Sequence, residues 1–444
     1  MKGLIVAAPA SNSGKTLVTL GLLRHIVSSG ESIVSAKVGP DYIDPGFHAV
    51  ASGRPCHNID VWAMREETLG RVLSNLARDA KLVLCEGVMG LFDGASVASG
   101  QSSGSTADVA RVTGWPVILV VDASAQAASA AAVVRGFASH EPDVKIAGII
   151  FNRIGGSSHE NILRGAMYAS FPHIPIVGCL PRAENLVLPA RHLGLVQALE
   201  HPNLEAFING AAGMIEEHID LEMLLSLARP TIKPAIGKPG IPPLGQRIAI
   251  ACDAAFAFTY LHVLDGWKAE GAELRPFSPL ANEAPWSDAD AVYLPGGYPE
   301  LFAGKLSTNM NFLNGLQDAA LRGACLFGEC GGYMVLGRSI TDAKGSRHTM
   351  AGLLGLETSF ESPRLHLGYR VASLAAEGFL GTKNKIFFGH EFHYATVLVE
   401  EGEQSLFQTT NAASANARLE GLIDGNVAGS FVHLIDQETL PGLE

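Results

Sequence analysis

The stretch ACLFGECGGYMVL, residues 324–336, decides the fold of the second half of this chain. Its apolar start predicts a strand, its apolar end predicts a helix, and glycines surround Cys330 between them. Such a turn lifts the cysteine sulfur out of the backbone at a helix N-terminus, where the helix dipole favours the thiolate. The glycines leave room for a substrate and for N–H groups that stabilise an oxyanion. The pattern therefore favours a nucleophilic Cys330 over a cysteine of the core.

A glycine-containing loop near the N-terminus carries a second signal. Residues 7–16, AAPASNSGKT, lie between an apolar strand-like run and a helical pattern, with a proline where a strict phosphate-binding loop has its first glycine. In such loops the backbone N–H groups around Ser13 and Gly14 cradle phosphate oxygens. Lys15 reaches the β- and γ-phosphates and the Thr16 hydroxyl binds Mg²⁺. The sequence therefore predicts a nucleotide site, in a loop that bends differently from the strict motif.

Composition limits the class of protein. The 444 residues are 47% hydrophobic and 17% charged, which is typical of a well-cored enzyme of two or three domains. The net charge of -12 argues against a general nucleic-acid or anionic-membrane surface. Six cysteines without a C-x-x-C pair fit a reducing cytoplasm and predict neither a zinc site nor a disulfide framework. The longest apolar runs are too short for a transmembrane helix.

The order of apolar runs predicts two α/β domains of different fold. Near-continuous apolar strands alternating with helices indicate a parallel sheet covered on both faces. The prolines and glycines after residue 229 predict a linker, so the predicted domains are 1–229 and 247–444, with the linker at 230–246. The predicted strands are 4–8, 32–38, 82–86, 117–122, 146–152, 176–179, 247–252, 291–294 and 324–327, together with a short strand, 428–433, that ends in His433. The predicted helices include 68–77, 125–139 and 258–271. The Ala-rich stretch 123–132 is also expected to be helical.

Acidic residues follow the predicted strands of the first domain. Glu86 ends the strand 82–86, on the side where the loop holds its nucleotide, so it is placed to reach Mg²⁺. Asp93 lies in the glycine-rich loop that follows, either near the metal or as an ordinary turn former. The loop 36–48 holds two acids, a lysine and two aromatics, which suits metal coordination and docking of a flat ligand; ordinary turn chemistry is the alternative.

The second domain offers partners for Cys330. A cysteine in a glycine elbow with a distant histidine is the arrangement of a thiol–imidazole nucleophile, which makes His433 a candidate base. His390, Glu391 and His393 compete for that role. The segment 294–300, LPGGYPE, follows a strand and offers N–H groups for an oxyanion hole.

Six blocks of sequence resemble the corrin a,c-diamide synthases of vitamin B12 biosynthesis, over essentially the full length of the chain. They are APASNSGKT at 8–16, KVGPDYIDPGFH at 37–48, EGVMGLFDG at 86–94, LPGGYPE at 294–300, FGECGGYMVLG at 327–337 and GSFVHLID at 429–436, and LPARHLGL at 188–195 also looks like a family segment. The resemblance implies an α/β fold with an N-terminal P-loop domain similar to dethiobiotin synthetase and a C-terminal triad-type glutamine amidotransferase domain.

The resemblance also implies the chemistry. Cys330 would be the nucleophile that releases ammonia from glutamine, and His433 would raise its nucleophilicity. Many triad enzymes carry a glutamate two positions after the histidine; Ile435 stands there, so Asp436 or Glu391 would have to orient His433. Ammonia would then pass to the first domain and attack an acyl phosphate made from ATP.

In that first domain the implied Mg²⁺ ligands are Thr16, Asp41, Glu86 and Asp93, while Tyr42 and Ile43 would shape the corrin site. The implied substrate is the a- and c-acetates of hydrogenobyrinic or cobyrinic acid, with the cobalt-free acid slightly favoured. Neither nucleic acid nor membrane is an expected partner, the expected location is the cytoplasm, and a homodimer is compatible with the class.

Three other functions are alternatives to the a,c-diamide synthase function. Cobyric acid synthase amidates other side chains of the same macrocycle, but the GPDYIDP block, residues 39–45, and the chain length favour the a,c-enzyme. A nickel-sirohydrochlorin a,c-diamide synthase is a further relative. A partitioning-type ATPase would account for the first domain alone and leave Cys330 and His433 without a role.

Overall fold

A computed structural model describes residues 1–97, 101–183, 185–186, 196–232 and 235–438 of the chain; the side chains of Asp79 and Leu199 are not described. The predicted family segment 188–195 lies outside these residues. The chain divides into two compact units. The N-terminal unit comprises Met1–Trp62, Leu69–Ala95 and Ser99–Gly237, and the C-terminal unit comprises Ala63–Thr68, Ser96–Ala98 and Lys238–Glu444. The predicted linker, 230–246, is thus divided between the two units.

The N-terminal unit alternates strands and helices in the order that apolar runs predict. Its elements are β1 (Lys2–Ala7), α1 (Lys15–Ser28), β2 (Ile33–Val38), α2 (Asp44–Ser52), β3 (His57–Ile59), α3 (Glu66–Asp79, whose first turn belongs to the C-terminal unit), β4 (Leu82–Glu86), α4 (Thr106–Thr113), β5 (Val117–Asp122), α5 (Ser129–His140), β6 (Ile146–Ile154), α6 (Ser157–Ser170), β7 (Ile176–Pro181), a 3₁₀ turn (Ala198–Glu200), α7 (Leu204–His218), α8 (Leu221–Leu227) and β8 (Arg229–Pro230).

The strands form one sheet in the order β3-β2-β4-β1-β5-β6-β7, parallel throughout, with the short β8 antiparallel beside β1. β1 and β5 are buried almost along their full length, as expected for strands covered on both faces. Glu86 is in register with Val6 of β1 and with Lys37 of β2. Because parallel strands end at the same edge, the loops that follow β1, β2 and β4 meet there.

The C-terminal unit begins as an α/β fold and continues as a largely antiparallel one. Its elements are β9 (Arg247–Ala251), α9 (Leu261–Ala269), β10 (Glu273–Phe277), β11 (Ala291–Leu294), α10 (Ala303–Thr308), α11 (Met310–Leu321), β12 (Cys325–Glu329), α12 (Gly331–Leu336), β13 (Ser339–Thr341), β14 (Arg347–Thr349), β15 (Gly355–Ser359), β16 (His366–Leu374), β17 (Ile386–His393), β18 (Thr396–Glu401), β19 (Gln404–Asn411), β20 (Arg418–Asp424), β21 (Val427–Ser430) and β22 (Val432–Gln437), with 3₁₀ turns at Pro279–Ala281 and Pro299–Phe302.

Ten of these strands form a mixed sheet in the order β10-β9-β11-β12-β21-β20-β19-β16-β17-β22. The pairs from β10 to β21 are parallel, and the remaining pairs are antiparallel. A second sheet has the order β14-β13-β15-β18. The core under the parallel part is apolar and closely packed, with Phe312, Leu326 and Tyr333 fully buried. Cys330, directly after β12, is one of the buried residues of this core.

Two sequence predictions about elements are wrong. The Ala-rich stretch 123–132 is not helical from its start, because α5 begins at Ser129 after a loop in which Asp122 accepts the Ser124 N–H. The predicted strand 428–433 is two strands: β21 ends at Ser430, and His433 is the second residue of β22. Apart from these, each predicted strand coincides with an observed strand to within two residues at either end.

Candidate functional site

The loop between β1 and α1 is shaped by its backbone. Gly14 adopts φ +96°, and a Cβ there would lie 2.2 Å from the Asn152 amide nitrogen, so a side chain is excluded. Asn152 donates a hydrogen bond of 2.9 Å to the Ser13 carbonyl, and the Ser13 hydroxyl donates one of 2.9 Å to the Ala10 carbonyl. These bonds hold a turn that lacks the first glycine of the strict motif. Asn152, on β6, therefore supports this loop, whose bend was predicted to differ from that of the strict motif.

Lys15, the first residue of α1, is buried at this loop. Its ammonium donates to the carbonyl of Met89 at 2.6 Å and to that of Ala10 at 3.4 Å. Burial lowers the pKa of Lys15, although nearby Glu86 counteracts the shift. Carbonyl oxygens solvate the cation without cancelling its charge. The ammonium is therefore placed to receive an anion.

Glu86 is the centre of a fully buried charged network. Its Oε1 accepts from the Thr16 hydroxyl at 2.6 Å and from the Lys37 ammonium at 3.1 Å. Its Oε2 lies 2.6 Å from His48 Nε2. Burial alone would raise the pKa of Glu86, but the charges of Lys37 and His48 outweigh burial and hold it well below its usual range. The structure thus brings predicted residues Thr16 and Glu86 into contact.

Two members of this network, Lys37 and His48, were not predicted as site residues. The Lys37 ammonium also pairs with Asp44 at 2.7 Å. Burial opposes the charge of His48, yet contacts with Cys56 and Glu86 raise its pKa to about 10. Lys37 and Glu86 are directly paired positions of β2 and β4, and His48 lies on α2, so their contacts depend on strand register and packing rather than on a local motif.

The remaining predicted residues of the first domain lie around this network. The Asp41 carboxylate accepts the N–H groups of Ile43 and Asp44 at the start of α2, at 2.8 and 3.2 Å, and Asp44 rather than Asp41 contacts Lys37. Asp93 accepts the Gly90 N–H at 2.8 Å, which is the turn contact named as its alternative role. Tyr42 and Ile43 are only 8% and 5% exposed. Metal binding by the two acids and substrate contact by Tyr42 and Ile43 stay predictions.

A cavity of about 300 Å³ opens beside the loop. It reaches from Lys15 to the carboxyl ends of β6 and β7, and its volume is at the lower end of that of small-molecule sites. Its lining includes Gly14, Lys15, Thr16, Asn152, Arg153 and Phe207. The loop therefore borders a concave site, as a nucleotide requires.

Cys330 forms the elbow between β12 and α12 that the sequence predicts. Its φ is +47° and its ψ is -104°, a conformation that costs a non-glycine residue on the order of 1–3 kcal/mol. The thiol is buried, and its Sγ lies 3.6 Å from the Phe392 carbonyl. Strain of this kind persists only where the surrounding structure enforces it, and it is concentrated at active sites.

The predicted thiolate at the helix N-terminus is not the resting state. Burial raises the pKa of Cys330, the carboxylate of Glu300 adds to the shift, and the Gly331 N–H opposes it too weakly. α12 has only six residues, so its dipole offers little compensation. Cys330 is therefore a neutral thiol that needs a base.

The glycines after Cys330 serve packing. A Cβ on Gly331 would lie 2.7 Å from Pro299, and one on Gly332 would lie 1.9 Å from the Leu294 carbonyl. The segment 294–300 consequently approaches the elbow closely. A Cβ on Gly331 would also lie 3.0 Å from the Gly297 nitrogen, so the backbone that was predicted to form an oxyanion hole is adjacent to the elbow. That role stays a prediction.

His433 reaches the same place from β22. The Cys330 N–H donates at 2.8 Å to the carbonyl of Ser430, the last residue of β21 and three positions before His433. A Cβ on Gly296 would lie 2.2 Å from His433 Cε1. Burial, reinforced by neighbouring His390 and His393, lowers the pKa of His433 to about 3. The imidazole is therefore neutral at physiological pH and able to accept a proton.

The two residues predicted to orient His433 contact other groups. Asp436 accepts from the backbone N–H and the Nε of Arg65, at 2.8 and 3.2 Å. Glu391 is paired with Arg370 at 2.5 Å and Arg418 at 2.6 Å. The carboxylate of Glu329 also faces His433, since its Oε2 lies 3.9 Å from His433 Nδ1, whereas Glu391 acts on the imidazole through its charge. The sequence does not display this contact, because Glu329 and His433 lie on different strands that are far apart in the chain.

A further cluster, His366, Glu391 and His393, has the proximity of a metal site. His393 Nε2 lies 3.0 Å from a Glu391 oxygen, and the rings of His366 and His393 are stacked 4.5 Å apart. Arg370 and Arg418 both pair with the Glu391 carboxylate. Among the described residues this cluster is thus better explained as an ion-pair network.

Within the described ranges, no helix combines the length and apolarity needed to cross a bilayer.

Comparison with known proteins identifies both domains. Residues 4–196 match the CobQ/CobB/MinD/ParA nucleotide binding domain, and residues 247–439 match the CobB/CobQ-like glutamine amidotransferase domain. A chain that combines these two domains belongs to the glutamine-hydrolysing carbon–nitrogen ligases.

Curated relatives narrow the class to one family. The hydrogenobyrinate a,c-diamide synthase of Brucella anthropi is 51% identical over 439 residues, which cover 98% of this chain and 99% of the relative. The proteins of that name from Brucella abortus and Rhodobacter capsulatus are 50% and 48% identical, with 98% or more of each chain covered. The chain belongs to the hydrogenobyrinate a,c-diamide synthase family. Its fold class and its class of enzyme are those predicted from the sequence.

Proposed function

We propose that this enzyme converts the a- and c-acetate carboxylates of hydrogenobyrinic acid into amides, with ATP and glutamine as co-substrates. The observation that carries the proposal is the presence, in one chain, of a phosphate-binding loop with its acid and of a strained cysteine elbow with its histidine. The names of relatives at about half identity supply the macrocycle. They favour the cobalt-free acid over cobyrinic acid.

Glutamine hydrolysis would start from the neutral Cys330–His433 pair. His433 takes the thiol proton as the sulfur attacks the side-chain amide of glutamine, and the tetrahedral intermediate forms. The amide nitrogen then accepts a proton from the imidazolium and leaves as ammonia, which produces a glutamyl thioester. Water, deprotonated by His433, hydrolyses the thioester to glutamate and regenerates the thiol.

The N-terminal unit would activate the carboxylate. A carboxylate is a poor electrophile, so the γ-phosphoryl group of ATP is transferred to it first, giving an acyl phosphate and ADP. Lys15 compensates the negative charge of the transferred group, and the N–H groups of the loop orient the phosphates. Ammonia then attacks the acyl carbon, and phosphate leaves as the amide forms.

The oxygen donors at the loop fit Mg²⁺. The Thr16 hydroxyl and a Glu86 oxygen lie 2.6 Å apart, and small hard cations prefer such ligands together with phosphate oxygens and water. When bound, Mg²⁺ supplies charge neutralisation to the β- and γ-phosphates. Lys37 and His48 hold the Glu86 carboxylate ionised for this purpose.

Product mass tests the proposal. The full chain, supplied with ATP, glutamine and either hydrogenobyrinic or cobyrinic acid, is expected to form the diamide of hydrogenobyrinic acid with at least a tenfold higher kcat/KM. Equal or faster amidation of cobyrinic acid would contradict the choice of macrocycle. Absence of amidation with both acids would contradict the proposed reaction.

A further inference from the structure

We propose that Glu329 is a positioning residue for His433 in glutamine hydrolysis and takes the place of the missing glutamate at Ile435. The inference rests on the proposed roles of Cys330 and His433. Glu329 precedes Cys330 in the chain, so one strand end presents both the nucleophile and the acid. The histidine comes from a different strand, β22.

The Glu329 carboxylate is held by three contacts. Its Oε1 accepts the N–H of Leu434, the residue after His433, at 3.0 Å. Its Oε2 accepts the hydroxyl of Tyr293, on β11, at 2.6 Å. The same Oε2 lies 3.9 Å from His433 Nδ1. The carboxylate is therefore fixed to the backbone of β22 beside the imidazole.

The position of the Glu329 carboxylate beside His433 matters when His433 takes up a proton. When His433 takes the proton of Cys330, the S–H bond breaks, an N–H bond forms and the ring becomes a buried imidazolium. A carboxylate 3.9 Å from Nδ1 stabilises that cation by Coulomb attraction in a buried site. In this scheme Nδ1 faces the acid and Nε2 receives the proton. A glutamate two positions after the histidine would perform the same task from β22 itself.

The groups that face this pair support a charge-dependent role. Burial raises the pKa of Glu329 to about 7, although the bonds from Tyr293 and Leu434 oppose the rise. As pH rises through about 7, the acid ionises and attraction for an imidazolium appears. The titratable groups around the pair include Tyr293 and Cys330 beside Glu329, Tyr260 beside both Tyr293 and His433, and His390, His393 and Glu391 around His433.

The test compares Glu329→Gln with Glu420→Gln in the full chain. Glu420 is a matched control, because it is also buried in the C-terminal unit, has a pKa raised by burial to about 7, and is held by Thr409 and Arg418 rather than His433. Glutamate release is measured from pH 5.5 to 9 with ATP and hydrogenobyrinic acid present. Amidation with ammonium chloride reports the integrity of each variant.

Glu329→Gln is expected to lower kcat for glutamine hydrolysis roughly 10- to 100-fold at pH 8, with KM within about twofold. It should also abolish the rise in rate near pH 7, while ammonia-supported amidation stays unchanged. Glu329→Asp should recover part of the rate and of the pH dependence. A Gln variant with full glutamine hydrolysis and the parental pH profile overturns the proposal, as does an equal loss in Glu420→Gln.

A folding defect is recognised by loss of ammonia-supported amidation. In that case the Asp variant decides: wild-type kcat with an unchanged pH profile overturns the proposal, and a reduced kcat with a displaced profile supports it. Failure of the proposed function has a different signature, which is retention of glutamine hydrolysis by Cys330→Ala.

Discussion

Two glutamates, Glu86 and Glu329, end parallel strands in the two units, and both are almost fully buried. Their ionisation differs. Lys37 and His48 hold the pKa of Glu86 below its usual range, whereas Glu329 faces a neutral imidazole and a hydroxyl, so burial raises its pKa to about 7. The same residue type at the carboxyl ends of parallel strands thus produces one acid that stays charged and another whose charge depends on pH near 7.

The difference matches the two chemistries. A site that binds polyphosphate needs fixed cations and an acid that stays ionised at all physiological pH values. A site that cleaves a neutral amide needs a thiol and a base that exchange a proton, and permanent charge there would stabilise one protonation state over the other. Neighbouring charges, more than burial alone, determine what each glutamate does.

The largest expected effect is on nitrogen supply. Cys330→Ala removes the nucleophile, so glutamine-supported diamide formation should fall by more than about 10³-fold, whereas amidation with ammonium chloride should stay within about twofold of wild type. Diamide formation is followed by mass spectrometry at pH 8. Cys325→Ala, a change at a half-buried cysteine on the same strand, serves as the control. Equal loss with both nitrogen sources in a folded variant would show that the two activities are not separable.

The second-largest effect is expected at the phosphate-binding loop. Lys15→Ala removes the cation at the phosphate-binding loop, so amidation should fall about 10²- to 10³-fold with either nitrogen source. Glutamine hydrolysis should remain measurable, because Cys330 and His433 are untouched. The control is Lys81→Ala, an exposed lysine of the same unit. Amidation at the wild-type rate in Lys15→Ala would remove the basis for placing ATP at this loop.

The smallest effect concerns stability and its dependence on pH. Neighbouring charges hold the folded pKa of Glu86 below its unfolded value of 4.5, so the stability that Glu86 contributes is present above that pH and is lost below it. Glu86→Gln should therefore cost about 3 kcal/mol at pH 8 and nearly as much at pH 5. Burial raises the folded pKa of Glu329, so the stability that the neutral acid contributes is lost as pH rises through about 7. Glu329→Gln cannot ionise at this position, so its free energy of unfolding should gain about 2 kcal/mol relative to wild type between pH 5 and pH 8. Denaturant unfolding at both pH values measures the trends.

Glu31→Gln, at an exposed glutamate, controls for the loss of a surface charge. A penalty for Glu86→Gln that is the same at pH 5 and pH 8, beside a relative gain for Glu329→Gln over that range, would confirm the electrostatic difference between the two glutamates. Parallel trends would show that the electrostatic difference described above does not govern their ionisation.

The sequence predicted those parts of the fold whose signal is local. Buried parallel strands are continuous apolar runs, and the Cys330 elbow is visible because glycines flank it on both sides. The antiparallel strands of the C-terminal unit escaped prediction because they mix exposed and buried residues; β18, for example, is exposed at most positions. α5 starts later than predicted because side-chain contacts of the preceding loop compete with the helix.

The candidate sites follow the same rule. Lys15, Thr16, Glu86, Cys330 and His433 were found from motifs that lie within short segments. Lys37 and Glu329 act through contacts between strands, and His48 acts through a contact of α2 with β4; one sequence does not display such contacts. The ionisation of Cys330 was also predicted wrongly, because burial depends on residues distant in the chain.

The central claim is that one site releases ammonia and the other consumes it. The most direct measurement supplies the wild-type chain with ATP, hydrogenobyrinic acid, amide-¹⁵N glutamine and unlabelled ammonium chloride, and weighs the product. The wild type should form a diamide that carries ¹⁵N at both amides, while Cys330→Ala should form only unlabelled diamide under the same conditions. Unlabelled product from the wild type, or labelled product from Cys330→Ala, would contradict this claim.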